Sequence, residues 1–345
     1  MVLVTGGTGL VGSHLLLKLA QQNQSVRAIY RKGADLDRVK TVFSYYSKNS
    51  KSLYDTIEWA EADLNDLPKL TMAFRDITHV FHCAAYISFD PANYKILRAT
   101  NIKGTANIVN LCIANKVEKL CHVSSVATLG YNADLITEET LWEGNQNQSV
   151  YAISKYGAEM EVWRASQEGV SVVIVNPGVI LGPGFWNSSS GLLFKVAAKK
   201  QRYYTNGRTG YVAVNDVAKA MLNLMESDIK NQRYVLVAEN LTYKEILTTV
   251  AKSMKVAPPT KLASAGLLQF VMVYDWLQSK LLGRKRLLSK ALCRALTRDS
   301  KFSSEKLKTD LKSFEFTAVP EAIQQTVKYF FFFRIFHTYT RIFYF

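Results

Sequence analysis

Apolar residues in the first half of this chain fall into short, nearly continuous runs separated by helical patterns. Val2-Leu3-Val4 leads into the glycine-rich stretch Thr5-Gly6-Gly7-Thr8-Gly9-Leu10-Val11-Gly12. A helical pattern follows, with Leu15, Leu16 and Leu19 on one side, and then a second run over 25–30. Strand, glycine turn, helix, strand is the repeating unit of a parallel sheet. The pattern recurs, with strands predicted at 57–60, 79–83 and 119–123 and helices at 101–114 and 151–166. Residues 170–175 form an almost unbroken apolar run, which suits a strand buried on both faces. Residues 1–175 therefore predict an α/β fold with a doubly wound parallel sheet.

Beyond Pro177 the alternation loosens. Pro177-Gly178, Gly182-Pro183-Gly184 and Ser188-Ser189-Ser190-Gly191 are loop signals. Helices are predicted near 192–200, 215–227, 242–254 and 287–297, with short strands such as 233–237 between them. Residues 176–329 read as a smaller lobe, mainly for substrate, that returns some elements to the sheet. The apolar stretch 262–282 carries Gln269, Asp275, Gln278 and Lys280. A membrane span needs ~20 residues almost free of charge. The stretch is expected to be a helix buried against the lobe, with an interfacial amphipathic helix as the alternative. The tail 330–345 is aromatic and basic without a usable period, either an interfacial anchor or an extension that packs poorly.

Composition adds a globular core and a charge question. The 345 residues are 48% hydrophobic and 21% charged. Met1 runs straight into the first strand, with no leader pattern. Cys83, Cys112, Cys121 and Cys293 lack paired spacing and are expected to be buried free thiols, which points to the cytoplasm. The net charge is +15, and from Lys252 onward 17 Lys or Arg stand against 6 Asp or Glu. A solvated basic face explains this. Peripheral contact with an anionic membrane through the basic C-terminal region would use it too. No motif supports nucleic-acid binding, and no His, Cys and Asp cluster has the spacing of a metal site.

The chemistry concentrates at strand ends. Gly7, Gly9 and Gly12 fit G-x-G-x-x-G, and Gly6, Gly9 and Gly12 fit G-x-x-G-x-x-G, between a strand and a helix. Glycines let the backbone approach a pyrophosphate, and the helix N-terminus offers it free N–H groups. Arg31 and Lys32 follow the second strand, where an acid would bind an NAD ribose. Two cations suit a 2′-phosphate, so NADP is expected over NAD, unless Asp35 or Asp37 serves the ribose. Asp63 and Leu64 are placed to meet the adenine. Tyr151 and Lys155, at i and i+4, share one helix face, and a cation there would lower the phenol's pKa. Ser124 and Ser125 follow the strand 119–123, where a hydroxyl can hold a substrate oxygen.

In their order, the glycine stretch, Asp63-Leu64, His82-Cys83-Ala84-Ala85, Asn101-Ile102-Lys103-Gly104-Thr105, Val123-Ser124-Ser125, Tyr151 to Lys155 and Asn176-Pro177-Gly178 resemble the extended short-chain dehydrogenases/reductases. The resemblance implies a Rossmann-type fold. It assigns catalysis to Ser125 (five residues before Gly130), Tyr151, Lys155 and Asn101, the last by holding the lysine through water. It implies cofactor contacts at residues 5–12, Arg31, Lys32, Asp63, Leu64, Cys83, Ala84, Ala85, Tyr151, Lys155, Pro177, Gly178 and Val179. Asn176 to Pro183 is closest to dihydroflavonol reductases, cinnamoyl-CoA reductases and 3β-hydroxysteroid dehydrogenase-like proteins. The implied reaction interconverts a carbonyl and an alcohol on a small molecule. A nucleotide-sugar epimerase or dehydratase with retained NAD, and a non-catalytic NADP-binding scaffold, are the rivals. Ser88, Phe89, Ser125, Phe185 and Trp186 are candidate substrate contacts. His82 and His122 read as structural, Asp216 as a helix cap, and the helices 101–114 and 151–166 as a route to a homodimer.

Overall fold

In the computed structural model, the strands among the described residues lie in chain order: β1 (Val2–Thr5), β2 (Val26–Tyr30), β3 (Glu58–Glu61), β4 (His79–His82), β5 (Lys119–Val123), β6 (Ser171–Pro177), β7 (Val179–Leu181), β8 (Tyr203–Tyr204), β9 (Arg208–Ala213), β10 (Gln232–Leu236), β11 (Glu239–Thr242) and β12 (Lys261–Leu262). The structure describes residues 1–144, 148–187, 190–282, 286 and 288–342, with side chains up to residue 331. The predicted loop residues Ser188 and Ser189, and the side chains of the aromatic tail beyond Phe331, lie outside the described residues.

Seven strands form one parallel sheet in the order β10-β6-β5-β4-β1-β2-β3. Continuous apolar strands serve this sheet because both faces are covered. In β6, Val172 and Ile174 enter one core while Val173 and Val175 enter the other. The helices Leu10–Gln21, Leu36–Tyr46 and Val214–Glu226 cover one face. Leu67–Ala73, Gly104–Ala114 and Val150–Gln167 cover the opposite face. Strand order reverses between β1 and β4, so a crevice opens at their carboxyl ends.

The remaining chain builds the lobe from the three-stranded sheet β11-β9-β7 and the pair β12-β8. Trp186, Phe194, Ile246, Val250, Ile323, Val327 and Phe330 fill its core. The chain is interleaved, since β10 returns to the edge of the large sheet beside β6.

Four expectations need correction. The stretch 262–282 contains a helix, Ala265–Leu282, but none of its residues is buried, because among the described residues no layer covers it. The helix predicted at 101–114 starts with a π-helical segment, Arg98–Lys103, before α-geometry resumes at Gly104. Asp216 does not cap its own helix. Its carboxylate accepts from the Thr317 amide at 2.8 Å and the Thr317 hydroxyl at 2.9 Å, tying down the approach to the helix Val319–Ile342. Of the free cysteines, Cys112 and Cys121 are buried, but Cys83 and Cys293 are partly exposed. Among the described residues no helix is long and apolar enough to cross a membrane.

Candidate active site

The turn after β1 is shaped by two glycines. Gly6 has φ +69°, and a Cβ there would lie 2.6 Å from the Ala84 backbone nitrogen. A Cβ on Gly12 would lie 2.2 Å from the Gly6 carbonyl oxygen. Only glycine lets the turn, the first helical turn and the end of β4 come this close. Gly9 precedes the helix and brings no side chain to cap its free amides. This amide-lined turn has the chemistry a pyrophosphate requires.

Neighbouring strand ends are locked together beneath it. Thr5 Oγ1 accepts from the Ala84 amide at 3.2 Å and lies 2.6 Å from His82 Nδ1. His82 Nε2 lies 2.9 Å from Thr105 Oγ1. Burial lowers the His82 pKa to about 3, so it is a neutral structural link. Beyond β2, an open depression of about 360 Å³ is lined by Arg31, Lys32, Gly33, Ala34 and Asp63. Asp63 Oδ1 accepts from the Asn65 amide at 2.9 Å. Leu64, expected over the adenine, is instead buried in the core against Gly104, so only Asp63 of that pair reaches the depression.

Tyr151 and Ser125 meet at the end of β5. Ser149 caps the helix Val150–Gln167 by accepting from the Ala152 amide at 3.0 Å, which puts Tyr151 in the first turn. Ser125 starts the short 3₁₀ turn Val126–Thr128, where its hydroxyl accepts from the Ala127 amide at 3.2 Å. Burial pushes the Tyr151 phenol up to about 12, against a lowering from the Ser125 hydroxyl. The lowering expected from Lys155 is not seen, and its ammonium is engaged elsewhere. Lys155 Nζ donates to the Val123 carbonyl at 2.8 Å and lies 3.3 Å from His122 Nε2. Burial brings its pKa down to about 8, opposed by Glu159. The Phe89 ring sits 5.4 Å from that of Tyr151.

Asn101 lies in the π-helical segment. Its Oδ1 accepts from the Tyr86 amide at 2.7 Å, while Nδ2 lies 3.0 Å from the Tyr86 carbonyl and 2.9 Å from Ser154 Oγ. Ser154 in turn donates to the Tyr151 carbonyl at 2.8 Å. Asn101 is thus joined to the Tyr151 turn through Ser154.

One residue that the sequence reading passed over holds the same region from below. Glu159 is fully buried. Its Oε2 lies 2.6 Å from Ser124 Oγ, 2.8 Å from Thr128 Oγ1 and 3.0 Å from Asn176 Nδ2. Its Oε1 pairs with Arg233 at 3.0 Å. Thr128 Oγ1 is also 2.9 Å from the Ser125 carbonyl, so its single proton serves one acceptor at a time. The carboxylate joins the Ser125 turn, the Tyr151 helix, β6 and β10. The signal was present as Tyr151, Lys155 and Glu159 at i, i+4 and i+8, one helical face.

The other candidates scatter. Ser88 accepts from the Asp90 amide and from Asn93, within its own loop. Trp186, expected at the substrate, packs edge-on to Phe194 and Phe330 in the lobe core. Phe185 is also buried, beneath the Arg38 guanidinium at 5.4 Å. Both are apolar side chains that the core takes up instead. Pro177 ends β6, Gly178 donates its amide to the Leu236 carbonyl at 3.1 Å, and Val179 starts β7. Cys83 and Ala84 sit partly exposed beside the glycine turn, with Ala85 exposed next to them.

Comparison with known proteins agrees with this fold. The model of the NAD dependent epimerase/dehydratase family matches residues 2–237. A Synechocystis sp. protein named as a dihydroflavonol 4-reductase is 27% identical, covering 81% of this chain and 79% of its own. Cinnamoyl-CoA reductase 1 of Petunia hybrida is 25% identical, covering 95% and 91%. The crystal structure of gox2253 superposes with a TM-score of 0.79 at 25% identity, over 96% of this chain and 97% of that one. The Thermus thermophilus UDP-glucose 4-epimerase complex with NAD gives 0.70 at 22% identity, over 95% and 98%.

Proposed function

This chain belongs to the NAD-dependent epimerase/dehydratase family, and we propose that it is an NAD(P)-dependent oxidoreductase interconverting a carbonyl and an alcohol. The observation that carries the reading is the meeting of Ser125, at the end of β5, with Tyr151 and Lys155 on one helix face, near enough for the Ser125 hydroxyl to lower the Tyr151 pKa. Relatives named as reductases support it. Residues 5–12 would hold the pyrophosphate. Arg31 and Lys32 would take a ribose 2′-phosphate, which favours NADP over NAD. When bound, the nicotinamide supplies or accepts the hydride.

This chain's residues manage the proton and the developing charge. A phenol with its pKa at about 12 stays protonated at neutral pH. Tyr151 can therefore deliver its proton to a carbonyl oxygen as that oxygen gains charge. The Ser125 hydroxyl donates a second hydrogen bond to the same oxygen. Lys155, one helical turn from Tyr151, would bind the nicotinamide ribose. In the alcohol-to-carbonyl direction the phenolate takes the proton back. Phe89, with its ring 5.4 Å from that of Tyr151, is an apolar neighbour in keeping with an aromatic or aliphatic carbonyl.

The test is a panel of aldehydes, ketones and thioesters, read by loss of NADPH absorbance, on protein assayed first for retained nucleotide. The expected result is cofactor-free protein that oxidises NADPH with at least one apolar carbonyl. Tightly retained NAD(H) with no turnover on the panel would overturn it in favour of an epimerase. NADPH binding without any turnover would leave a scaffold.

A further inference from the structure

The helix Ala265–Leu282 is turned inside out for a protein surrounded only by water. Phe270, Val273, Tyr274, Leu277 and Leu281 follow the spacing i, i+3, i+4, i+7 and i+11, one stripe of an α-helix. A surface helix normally buries such a stripe. Here those residues are 70%, 51%, 55%, 42% and 79% exposed. The polar Asp275 lies off this stripe, only partly exposed, and accepts from the Leu288 amide at 2.8 Å, while Gln278 edges the stripe and donates to the Tyr274 hydroxyl at 2.6 Å. Trp276, 43% exposed, borders the stripe.

Charge identifies the occupant. Residues 252–301 contain 11 Lys or Arg and 2 Asp or Glu. The two acids are engaged, Asp275 with Leu288 and Asp299 with Arg208 at 3.3 Å. Lys252, Lys255, Lys261, Lys280 and Lys290 are exposed. A second copy of this chain would bring an equal positive charge against this face, which disfavours self-association. An apolar stripe that includes Tyr274, with Trp276 and Lys280 at its margins, has the composition of a helix lying in a lipid interface. The helix is about 27 Å long at ~1.5 Å per residue and carries Asp275 and Lys280, so it suits the interface plane.

We propose that the outward stripe of the helix Ala265–Leu282 docks this protein on an anionic lipid surface. The stripe enters the headgroup boundary while the flanking lysines meet the lipid charge. The contact is independent of the reaction assigned above.

The test is flotation of the full chain with vesicles of phosphatidylcholine alone or mixed with phosphatidylglycerol, at low and high salt. Binding is expected with the anionic vesicles, falling about tenfold without phosphatidylglycerol and weakening with salt. The combined variant Phe270→Ser, Leu277→Ser, Leu281→Ser should lose binding by about tenfold or more while keeping the parent's melting temperature. Binding by that variant equal to the parent would place the contact elsewhere and overturn the proposal. Absence of binding to either vesicle would also overturn it. So would a dimer that the variant abolishes in a protein with no affinity for vesicles.

Discussion

The helices Val150–Gln167 and Ala265–Leu282 each have 18 residues, yet they use their faces in opposite ways. The first buries Ser154, Lys155 and Glu159. The second exposes Phe270, Leu281 and their neighbours. Partners explain the first. Lys155 finds Val123 and His122, and Glu159 finds Ser124, Thr128, Asn176 and Arg233. A buried charge with a full set of hydrogen bonds is tolerated, whereas a single missing partner is costly. Among the described residues the second helix has no covering layer, so its apolar stripe stays outside. Burial in this protein follows the layer available and the partners present, not the hydrophobicity of the residue alone.

The sharpest way to break the comparison is to remove a buried partner. Glu159→Ala should cost about 3–5 kcal/mol in urea denaturation, because Arg233 and three neutral donors lose their acceptor at once. A loss below ~1 kcal/mol would show that the network relaxes around the gap.

Acid titration probes the same interior. His14 and His82, fully buried, have pKa values lowered to about 4 and about 3, and His122 is held well below its usual value, in each case first by burial. The unfolded chain therefore binds more protons below about pH 6.5. Stability is fully present above that pH and falls as the pH drops toward 4 and then 3. Each histidine adds up to about 1.4 kcal/mol per pH unit to the slope. Glu138 and Asp216, raised by burial, pull the other way in the carboxylate range and flatten the curve. Denaturation midpoints unchanged from pH 7 to pH 5 would contradict the neutral histidines.

A smaller effect concerns the rim. Arg31→Ala should reduce the preference for NADPH over NADH about tenfold, or ~1.4 kcal/mol, in paired fluorescence titrations. An unchanged ratio would remove Arg31 from 2′-phosphate binding. The smallest effect belongs to the exposed helix. Leu281→Ser should shift stability in water by no more than about 0.5 kcal/mol, and a larger loss would mean that this residue is covered in solution.

The sheet was legible because its signals are local. The apolar run around Val172 to Val175 and the glycine turn after β1 identify themselves without knowledge of neighbours. Tyr151 and Lys155 stood out through spacing. What stayed hidden depends on contacts distant in sequence. Arg233 reaches Glu159 only because β10 returns to pair with β6. The placement of Trp186 and Phe185 in the core follows from the lobe's packing, which periodicity does not describe. The 262–282 stretch had the right element and the wrong environment, since an apolar stripe fixes a helix face but not what lies against it. The raised Tyr151 pKa arises from burial, which Tyr-x-x-x-Lys spacing alone does not report.

The central claim is that Tyr151 handles the proton, and Tyr151→Phe tests it most directly. The variant removes the phenolic oxygen and leaves the ring beside Phe89 and the glycine turn untouched. With a carbonyl substrate that the parent reduces, NADPH affinity should stay within about twofold while turnover falls about 10²–10⁴-fold. A variant that binds NADPH and turns over at the parent's rate would contradict the account.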